Sequence, residues 1–330
     1  MTDDPGGGQP TVVVYDQLDY LGWVYDIERT ALSAAGVHLS VPPRSEAAAA
    51  LPEADVVIVH DGPFGAREMA LMRDPVGIVC YSVGMDQVDG EAASAAGVPV
   101  RNLPFWATQV VAEHALTLLL AAVRRLPVQD RAARTQRWDH RRLIADLGIE
   151  LFTLQTVGIV GIGRIGRALA QRARAIGFRT VGSDPDPGRP PVGPDLPLLP
   201  FEELLEVSDA IVICAPLNPT TQGLFDAAAF SRMRRGSVLV NVSRGPIVDE
   251  VALAATLAEG HLAFAALDVR TTEPPPPEDP LRELPNTLLT PHTAWVAAAS
   301  HRAYHEEAAS VSLELLRAAG RIGPAGPGDA

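Results

Sequence analysis

The chain has 330 residues, of which 47% are hydrophobic and 20% charged, and its formal net charge is −13 at pH 7. A chain of this length can bury two ordinary cores, so two domains are expected. The acidic balance argues against nucleic acid and anionic membrane surfaces as partners, because like charges repel.

The side-chain inventory removes further classes of chemistry. The chain contains arginine but no lysine, which excludes a Schiff-base lysine, a P-loop lysine and a lysine general base. Cys80 and Cys214 lie inside apolar runs, so we interpret them as core residues, and no metal site is expected. The N-terminal tail lacks the apolar core of a signal peptide, and no run approaches the roughly 18 apolar residues of a membrane span. The expected location is therefore the cytoplasm.

Short β-branched runs alternate with Ala-rich segments through the first hundred residues. Strands are predicted at residues 11–15, 54–60, 77–80 and 98–101, and helices at 27–35 and 90–96. Apolar runs of this length between helices indicate a parallel sheet covered on both faces. An Ala/Leu-rich segment at 108–126 predicts one long buried helix, and Pro104 before it is predicted to be a hinge.

A second α/β series follows from about residue 154. Strands are predicted at residues 156–160, 179–183, 209–215, 237–242, 263–268 and 287–290, with a helix at 164–176. The Pro- and Gly-rich segment at 184–200 lies between strands and is interpreted as a loop. A last helix is predicted at 296–319, followed by a tail that is expected to fray. The fold class is therefore α/β, with two Rossmann-like, doubly wound parallel sheets.

The strand that ends at Val160 is followed by a glycine-rich turn, Gly161-Ile162-Gly163-Arg164-Ile165-Gly166, and then by a helix. The first glycine permits a tight turn, the second lets a pyrophosphate approach the backbone, and the third lets the helix pack on the strand. The helix N-terminus then offers N–H groups to the phosphates. This arrangement is typical of dinucleotide binding, although FAD uses a similar turn and an ordinary tight turn is the simpler alternative.

An acidic residue, Asp184, ends the next predicted strand. A carboxylate there can accept hydrogen bonds from both ribose hydroxyls and repels a 2′-phosphate, which favours NAD over NADP. Arg179 and Arg189 are the residues that could oppose this preference.

Three polar signatures follow the late strands, where ligands bind in open parallel sheets. They are NVSRGPIVD at 241–249, LDVRTTEP at 267–274 and TPHTAW at 290–295. With these motifs in this order downstream of the glycine turn, the chain resembles the D-isomer-specific 2-hydroxyacid dehydrogenase family over nearly its whole length. The TPHTAW form, with Trp295, is similar to that of the C-terminal-binding-protein branch and of some glycerate or hydroxypyruvate reductases.

The resemblance implies a catalytic triad of Arg244, Glu273 and His292. His292 would protonate the carbonyl oxygen of a 2-oxo acid during reduction and recover the proton in the reverse direction. Glu273 would orient the imidazole, and Arg244 would bind the substrate carboxylate and polarise the carbonyl. Each residue taken singly has an ordinary structural alternative, but the combination in register favours catalysis.

The resemblance also implies the binding positions. The substrate would contact Val83 and Gly84 through backbone N–H groups, together with Arg244, His292 and Trp295. Asp268 would accept a hydrogen bond from the nicotinamide carboxamide. The complete cofactor-binding set is Val111, Gly161, Gly163, Arg164, Ile165, Gly166, Asp184, Ala215, Pro216, Thr221, Val242, Ser243, Asp268 and His292.

The implied organisation is a discontinuous substrate-binding domain, residues 1–103 and 294–330, around an NAD-binding Rossmann domain at 104–293. The expected function is NAD(H)-dependent reduction of a small anionic 2-oxo acid to the D-2-hydroxy acid, or the reverse, by a homodimer. The alternative is an NAD(H)-sensing, corepressor-like interaction protein. The identity of the acid stays open between a hydroxypyruvate-like, a phosphonate-bearing and an aromatic or apolar 2-oxo acid. The aromatic or apolar acid is suggested by six aromatic residues that could face the cleft: Trp23, Tyr25, Tyr81, Phe105, Trp106 and Trp295.

Overall fold

The computed structural model describes residues 8–16, 25–135, 137–141, 147–186 and 196–324. The chain divides into two compact units, the first made of residues 1–107 and 297–330 and the second of residues 108–296. The first unit is therefore assembled from two separate stretches of the sequence. Trp23 and Arg189, both named above, lie outside the described residues, as do both ends of the chain.

The described residues of the first unit form a sheet of five parallel strands. These are β1 (Thr11–Val14), β2 (His38–Ser40), β3 (Val56–Val59), β4 (Gly77–Cys80) and β5 (Val100–Asn102). Their order is β2-β1-β3-β4-β5, and each neighbouring pair is parallel. Every residue of β3 and β4 is buried, because helices cover both faces of a parallel sheet. β2 is a strand that the sequence analysis did not predict.

Helices on both faces cover this sheet. They are α1 (Asp26–Ala34), α2 (Ala47–Ala50), α3 (Ala66–Met69), α4 (Gly90–Ala96) and, from the end of the chain, α12 (Ala298–Ala318). The C-terminal helix α12 packs against α1 and over β3 and β4. This packing makes the last part of the sequence an integral part of the first unit.

In the described part of the second unit, the strands form a six-stranded parallel sheet. It contains β6 (Thr156–Val160), β7 (Arg179–Ser183), β8 (Ala210–Ile213), β9 (Val238–Asn241), β10 (Phe264–Leu267) and β11 (Thr287–Leu289). The order is β11-β10-β9-β8-β6-β7. The chain adds β7 on one side of β6 and then adds β8 to β11 on the other side, so the order of winding switches between β6 and β8. A bridge between Leu198 and Gly182 extends the sheet beyond β7, at the place of the third strand in the Rossmann order. Part of the predicted 184–200 loop therefore pairs with the sheet.

The fully described helices of the second unit are α5 (Thr108–Val123), α6 (Leu126–Arg134), α7 (Arg164–Ala175), α8 (Phe201–Val207), α9 (Ala227–Arg232), α10 (Glu250–Ala258) and α11 (Pro280–Glu283). α5 packs across β8, β9 and β10 and against α7. The prediction of a single helix at 108–126 is wrong at its C-terminal end, because α5 ends at Val123 and α6 begins at Leu126. Arg125 adopts a left-handed φ of 53°, and Pro127 occupies the first turn of α6, where its missing N–H is tolerated and where it begins a new helix.

A buried polar cluster lies inside the first unit. His305 Nδ1 is 2.5 Å from Glu28 Oε1, and the Tyr81 hydroxyl donates to the same carboxylate. His60, which is 6% exposed, lies with its Nε2 3.2 Å from the Tyr25 hydroxyl. Burial, assisted by the charge of His305, lowers the pKa of His60 to about 3. His60 is therefore neutral in the folded protein.

Among the described residues, no helix combines the length and apolar character that a bilayer crossing requires. No group of three or more His, Cys, Asp or Glu side chains in the same part of the chain is arranged to hold a metal ion.

The depressed pKa of His60 predicts acid sensitivity. The unfolded chain binds a proton at His60 near the ordinary pKa of about 6.5, whereas the folded chain does not until about pH 3. The stability contributed by neutral His60 is thus fully present above pH 6.5 and is lost as the pH falls below it, by up to about 1.4 kcal/mol per pH unit. In urea unfolding between about pH 6.5 and pH 4, His60→Gln should therefore show a shallower loss of unfolding free energy than the wild type. Parallel pH dependences would contradict the prediction.

Candidate active site

Two glycines shape the turn after β6. Gly161 has a φ of +94°, and a Cβ there would lie 2.3 Å from the backbone nitrogen of Ala215. A Cβ on Gly166 would lie 2.1 Å from the carbonyl oxygen of Gly161. The absence of a side chain at Gly166 lets α7 begin directly against the turn. Its absence at Gly161 lets the turn approach the segment that follows β8.

Gly163 has a different environment. Nothing lies within 4 Å of a Cβ placed on Gly163, and no side chain caps the N-terminus of α7, where this glycine is the N-cap. The open space over Gly163 therefore adjoins backbone N–H groups at the positive end of a helix dipole. A pyrophosphate fits such a cradle.

Asp184 connects the end of β7 to the glycine turn. Its Oδ2 accepts a hydrogen bond from the Ile162 backbone nitrogen at 2.7 Å, and its Oδ1 accepts one from the Asp186 backbone nitrogen at 3.0 Å. These bonds hold the Asp184 carboxylate beside the glycine turn, and carboxylate oxygens are acceptors of the kind that ribose hydroxyls bind. Arg179 begins β7 and donates to the Leu154 carbonyl oxygen at 2.8 Å, which places it at the opposite end of the strand.

Two hydroxyl groups fix the segments after β8 and β9, and one of them joins the two segments. Thr221 is fully buried, and its hydroxyl donates to the Pro216 carbonyl oxygen at 2.7 Å. The Ser243 hydroxyl donates to the carbonyl oxygen of the buried Ala215. Val242, beside Ser243, is also buried. Thr221 and Ser243 thus fix the shape of the backbone that borders the glycine turn.

Asn241 and Gly245 position the loop that carries Arg244. The Asn241 side chain accepts from the Ser243 backbone nitrogen at 3.0 Å and donates to the Arg244 carbonyl oxygen at 2.9 Å. A Cβ on Gly245 would lie 2.0 Å from the carbonyl carbon of Arg270. Only glycine therefore lets the Arg244 loop press against the backbone that follows β10.

Glu273 and His292 form a direct pair. His292 Nδ1 lies 2.7 Å from Glu273 Oε2, and Glu273 Oε1 accepts from the Arg270 backbone nitrogen at 2.8 Å. Burial alone would raise the pKa of Glu273, but these hydrogen bonds and the charges of His292 and Arg244 together lower it below its ordinary value. Glu273 is thus an ionised acceptor, and with Nδ1 committed to it, Nε2 is the nitrogen available to a substrate.

A buried arginine anchors the Glu273 loop. Arg270 Nη1 lies 2.6 Å from Asp279 Oδ2, and its Nη2 lies 2.9 Å from Glu250 Oε2. Because the Arg270 side chain is only 7% exposed, these charge-assisted bonds tie the loop firmly to α10 and α11. The position of Glu273 therefore depends on Arg270 twice. The Arg270 side chain anchors the loop, and the Arg270 backbone nitrogen bonds Glu273 directly.

Asp268 holds the backbone around His292. It is 1% exposed and accepts from the Thr290 hydroxyl at 2.5 Å and from the backbone nitrogens of Thr293 and Ala294, both at 2.9 Å. His292 itself has a φ of +52°, in the left-handed region that non-glycine residues rarely adopt. The carboxylate thus stabilises an unfavourable turn, and the carboxamide contact expected for Asp268 stays a prediction.

The remaining predicted residues lie as follows. In the first unit, the loop after β4 is fixed by bonds from Asn102 to the Val83 carbonyl oxygen and from Ser82 to the Gly84 carbonyl oxygen, both at 2.6 Å.

In the second unit, Val111 is a buried residue of α5 and Trp295 is half-buried. Arg164 and Ile165 open α7, where Arg164 is exposed and Ile165 half-buried. Tyr25 and Tyr81 pack in the core of the first unit, which leaves them unsuited to line an open cleft.

The second unit thus brings Glu273 and His292 into direct contact, and the charge of Arg244 contributes to lowering the pKa of Glu273. Sequence reasoning missed Asn241, Arg270, Thr290 and His114 as supporting residues. One signal was available for His114, because a histidine in the Ala/Leu-rich segment of α5 is an unusual polar residue in an otherwise apolar helix.

Comparisons with known proteins bear on the same region. Residues 116–294 match the model of a family described as "D-isomer specific 2-hydroxyacid dehydrogenase, NAD binding domain". The matched stretch contains the glycine turn, Asp184 and the Arg244, Glu273 and His292 group.

Individual relatives agree with this match. The D-3-phosphoglycerate dehydrogenase of Mycobacterium tuberculosis is 40% identical over 278 residues, 83% of this chain and 52% of that protein. This chain therefore spans about half the length of the curated phosphoglycerate dehydrogenases that it matches. The glyoxylate reductase of Korarchaeum cryptofilum is 38% identical over 242 residues, 72% of this chain and 70% of that protein. Among solved structures, the TT0316 protein of Thermus thermophilus superimposes with a TM-score of 0.78 at 34% identity, covering 93% and 97% of the two chains.

The open space at Gly163 gives a direct test of dinucleotide binding. Gly163→Ala should leave the melting temperature unchanged, because the added methyl meets no protein atom within 4 Å. It should weaken NADH binding by roughly tenfold, because the methyl occupies space that the pyrophosphate needs. Gly161→Ala is the control that should lower the melting temperature, since its methyl collides with the Ala215 backbone. Unchanged NADH affinity in Gly163→Ala, measured by fluorescence titration, would refute this assignment.

Proposed function

This chain belongs to the family of D-isomer specific 2-hydroxyacid dehydrogenases, and on that premise we propose that it interconverts a small 2-oxo acid and its D-2-hydroxy acid with NAD(H). The observation that carries the proposal is the 2.7 Å hydrogen bond between His292 Nδ1 and Glu273 Oε2 beside Arg244. These three residues have complementary roles as acid, orienting carboxylate and anion-binding cation.

The described residues fit NAD. The cradle over Gly163 suits the pyrophosphate, and Asp184, oriented by the Ile162 backbone, suits the adenosine ribose and disfavours a 2′-phosphate. When bound, NADH supplies the hydride that reduces C2 of the acid, and NAD⁺ accepts that hydride in the reverse reaction.

His292 is proposed as the acid-base residue. As C2 is reduced, Nε2–H gives its proton to the carbonyl oxygen, so the C=O bond becomes C–OH and the imidazole becomes neutral. In the oxidative direction, Nε2 takes the hydroxyl proton. Glu273 holds the ring through Nδ1 and stabilises the imidazolium that carries the proton, because its lowered pKa keeps it ionised.

Arg244 is proposed to bind the acid. Its planar guanidinium can donate to the carboxylate and to the carbonyl oxygen at once, which anchors the anion and stabilises negative charge that develops on the oxygen. Val83, Gly84 and Trp295 complete the proposed substrate contacts. The relatives with functional names are a dehydrogenase and a reductase, which favours turnover over the sensing alternative.

A homodimer is the proposed assembly. Four large apolar side chains of the second unit are exposed within a short stretch of sequence: Leu126 by 51%, Trp138 by 68%, Leu151 by 64% and Leu154 by 56%. Exposed apolar side chains of this size support burial against a second copy of the chain.

Acid-base catalysis is tested by substitution. His292→Asn should lower kcat for reduction of an active 2-oxo acid by roughly 10²- to 10⁴-fold, because the proton donor is removed, and should affect NADH affinity much less. Arg244→Lys should mainly raise KM for the acid, since lysine lacks the planar donor pair. The assay follows NADH absorbance with glyoxylate, hydroxypyruvate, phosphohydroxypyruvate and an aromatic 2-oxo acid. His38→Asn, which changes an exposed histidine of β2, is the control; full activity in His292→Asn would disprove the assignment.

The assembly is tested separately. Trp138→Glu should shift the sedimentation coefficient towards that of a monomer, because a charge at an apolar contact is costly to bury. A monomeric wild type, or a variant that sediments like the wild type, would count against the proposed interface.

A further inference from the structure

Helix α5 presents a histidine to the loop that carries His292. Val111 and His114, one turn apart on α5, share a helix face, and α5 packs across β8, β9 and β10. The His114 side chain is 23% exposed, and the Asp268 side chain beside it is fully buried. His114 Nε2 lies 3.3 Å from Thr290 Oγ1 and 3.5 Å from Asp268 Oδ1.

The hydrogen-bond directions in this group are determined by its chemistry. The Thr290 hydroxyl has one hydrogen, which it donates to Asp268 Oδ1 at 2.5 Å. Towards His114, the Thr290 oxygen can therefore only accept. It follows that Nε2 of His114 carries a hydrogen and donates it to Thr290 and to Asp268. His114, Thr290 and Asp268 form a directed series of donors that ends on a buried carboxylate.

The same carboxylate fixes the His292 turn. Asp268 accepts from the backbone nitrogens of the two residues after His292, at 2.9 Å each. The His292 backbone nitrogen donates to the Asp268 carbonyl oxygen at 2.8 Å. Since His292 has a φ of +52°, this turn needs outside stabilisation to persist.

The charge of Asp268 depends on its donors. Burial raises the pKa of this carboxyl, but the hydrogen bonds from His114, Thr290 and the backbone of Thr293 and Ala294 bring it below its ordinary value. An ionised carboxylate accepts stronger hydrogen bonds than a neutral one. Loss of the His114 donor would therefore loosen the turn as well as leave a polar group of Thr290 without that partner.

We propose that His114 is a positioning residue for His292, acting through Thr290 and Asp268 to hold the turn that aims the catalytic imidazole at the substrate. The inference rests on the proposed function, since it assigns His114 to the support of that reaction. His114 does not itself touch the reacting atoms. Its contribution is geometric, and it should affect the chemical step more than the binding of either ligand.

The experiment compares two substitutions of His114 with a matched control. His114→Leu removes the donor at similar volume, whereas the amide nitrogen of His114→Gln can take the place of Nε2. His261→Leu is the control, because His261 is a half-buried histidine of the same unit whose Nε2 bonds the Met233 carbonyl oxygen at 2.9 Å. For each variant, kcat, KM for the 2-oxo acid, the Kd of NADH and the melting temperature are measured.

His114→Leu should lower kcat by roughly 10- to 100-fold, the effect of a small misplacement of a catalytic group. Its KM for the acid and its Kd for NADH should change by less than about twofold, and His114→Gln should recover most of the activity. His261→Leu should keep wild-type kcat. Wild-type kcat in His114→Leu, equal losses in both His114 variants, or a loss of NADH affinity as large as the loss of kcat would each overturn the proposal.

A second readout is independent of turnover. In protein labelled with ¹⁵N-histidine, the Nδ1–H of His292 bonded to Glu273 should give a downfield proton resonance, assigned by its loss in His292→Asn. This resonance should broaden or shift upfield in His114→Leu and return in His114→Gln; an unchanged resonance in His114→Leu would overturn the proposal. If the wild type reduces no acid while the resonance responds as expected, the proposed function fails and the positioning role of His114 stands.

Discussion

The hydrogen bond between His292 and Glu273 is the interaction on which the geometry of the site depends. It joins the loop after β10 to the loop after β11, and both of its partners are fixed by other contacts. Glu273 is held by the Arg270 backbone, while Asp268 holds the backbone on either side of His292. Two carboxylates of one loop therefore support His292. Glu273 bonds the imidazole ring, and Asp268 bonds the backbone of the turn that carries it.

Steric constraints at glycine positions bring these loops together. The carboxyl ends of parallel strands share one edge of the sheet, but side chains on adjacent loops would normally keep the backbones apart. At Gly161, Gly166 and Gly245 a Cβ would lie between 2.0 and 2.3 Å from a neighbouring backbone atom. The absence of side chains at these positions allows the cradle and the Arg244 loop to form, whereas Gly163 leaves space for a ligand.

Local sequence patterns predicted the parts of the fold that depend on local physics. The apolar runs of β3 and β4 are buried on both faces, and the glycine turn lies between a strand and a helix, so both could be recognised from short segments. The end of α5 at Val123 could not, because it depends on the left-handed φ of 53° at Arg125, which no local pattern indicates. The supporting contacts were also missed, since His114 and Thr290 are 176 residues apart and no pattern within either segment indicates the other.

The electrostatics of the site bear on how an acidic protein could bind the proposed anionic substrate. The chain carries a net charge of −13, and four carboxylates surround the loop after β10. Glu250 and Asp279 are paired with Arg270, Glu273 with His292, and Asp268 with hydroxyl and backbone donors. Arg270 offsets part of the charge of Glu250 and Asp279, and each of the four carboxylates is engaged by hydrogen-bond donors at less than 3 Å. A carboxylate that binds Arg244, as proposed, therefore meets acidic neighbours whose oxygens are already turned towards their own partners.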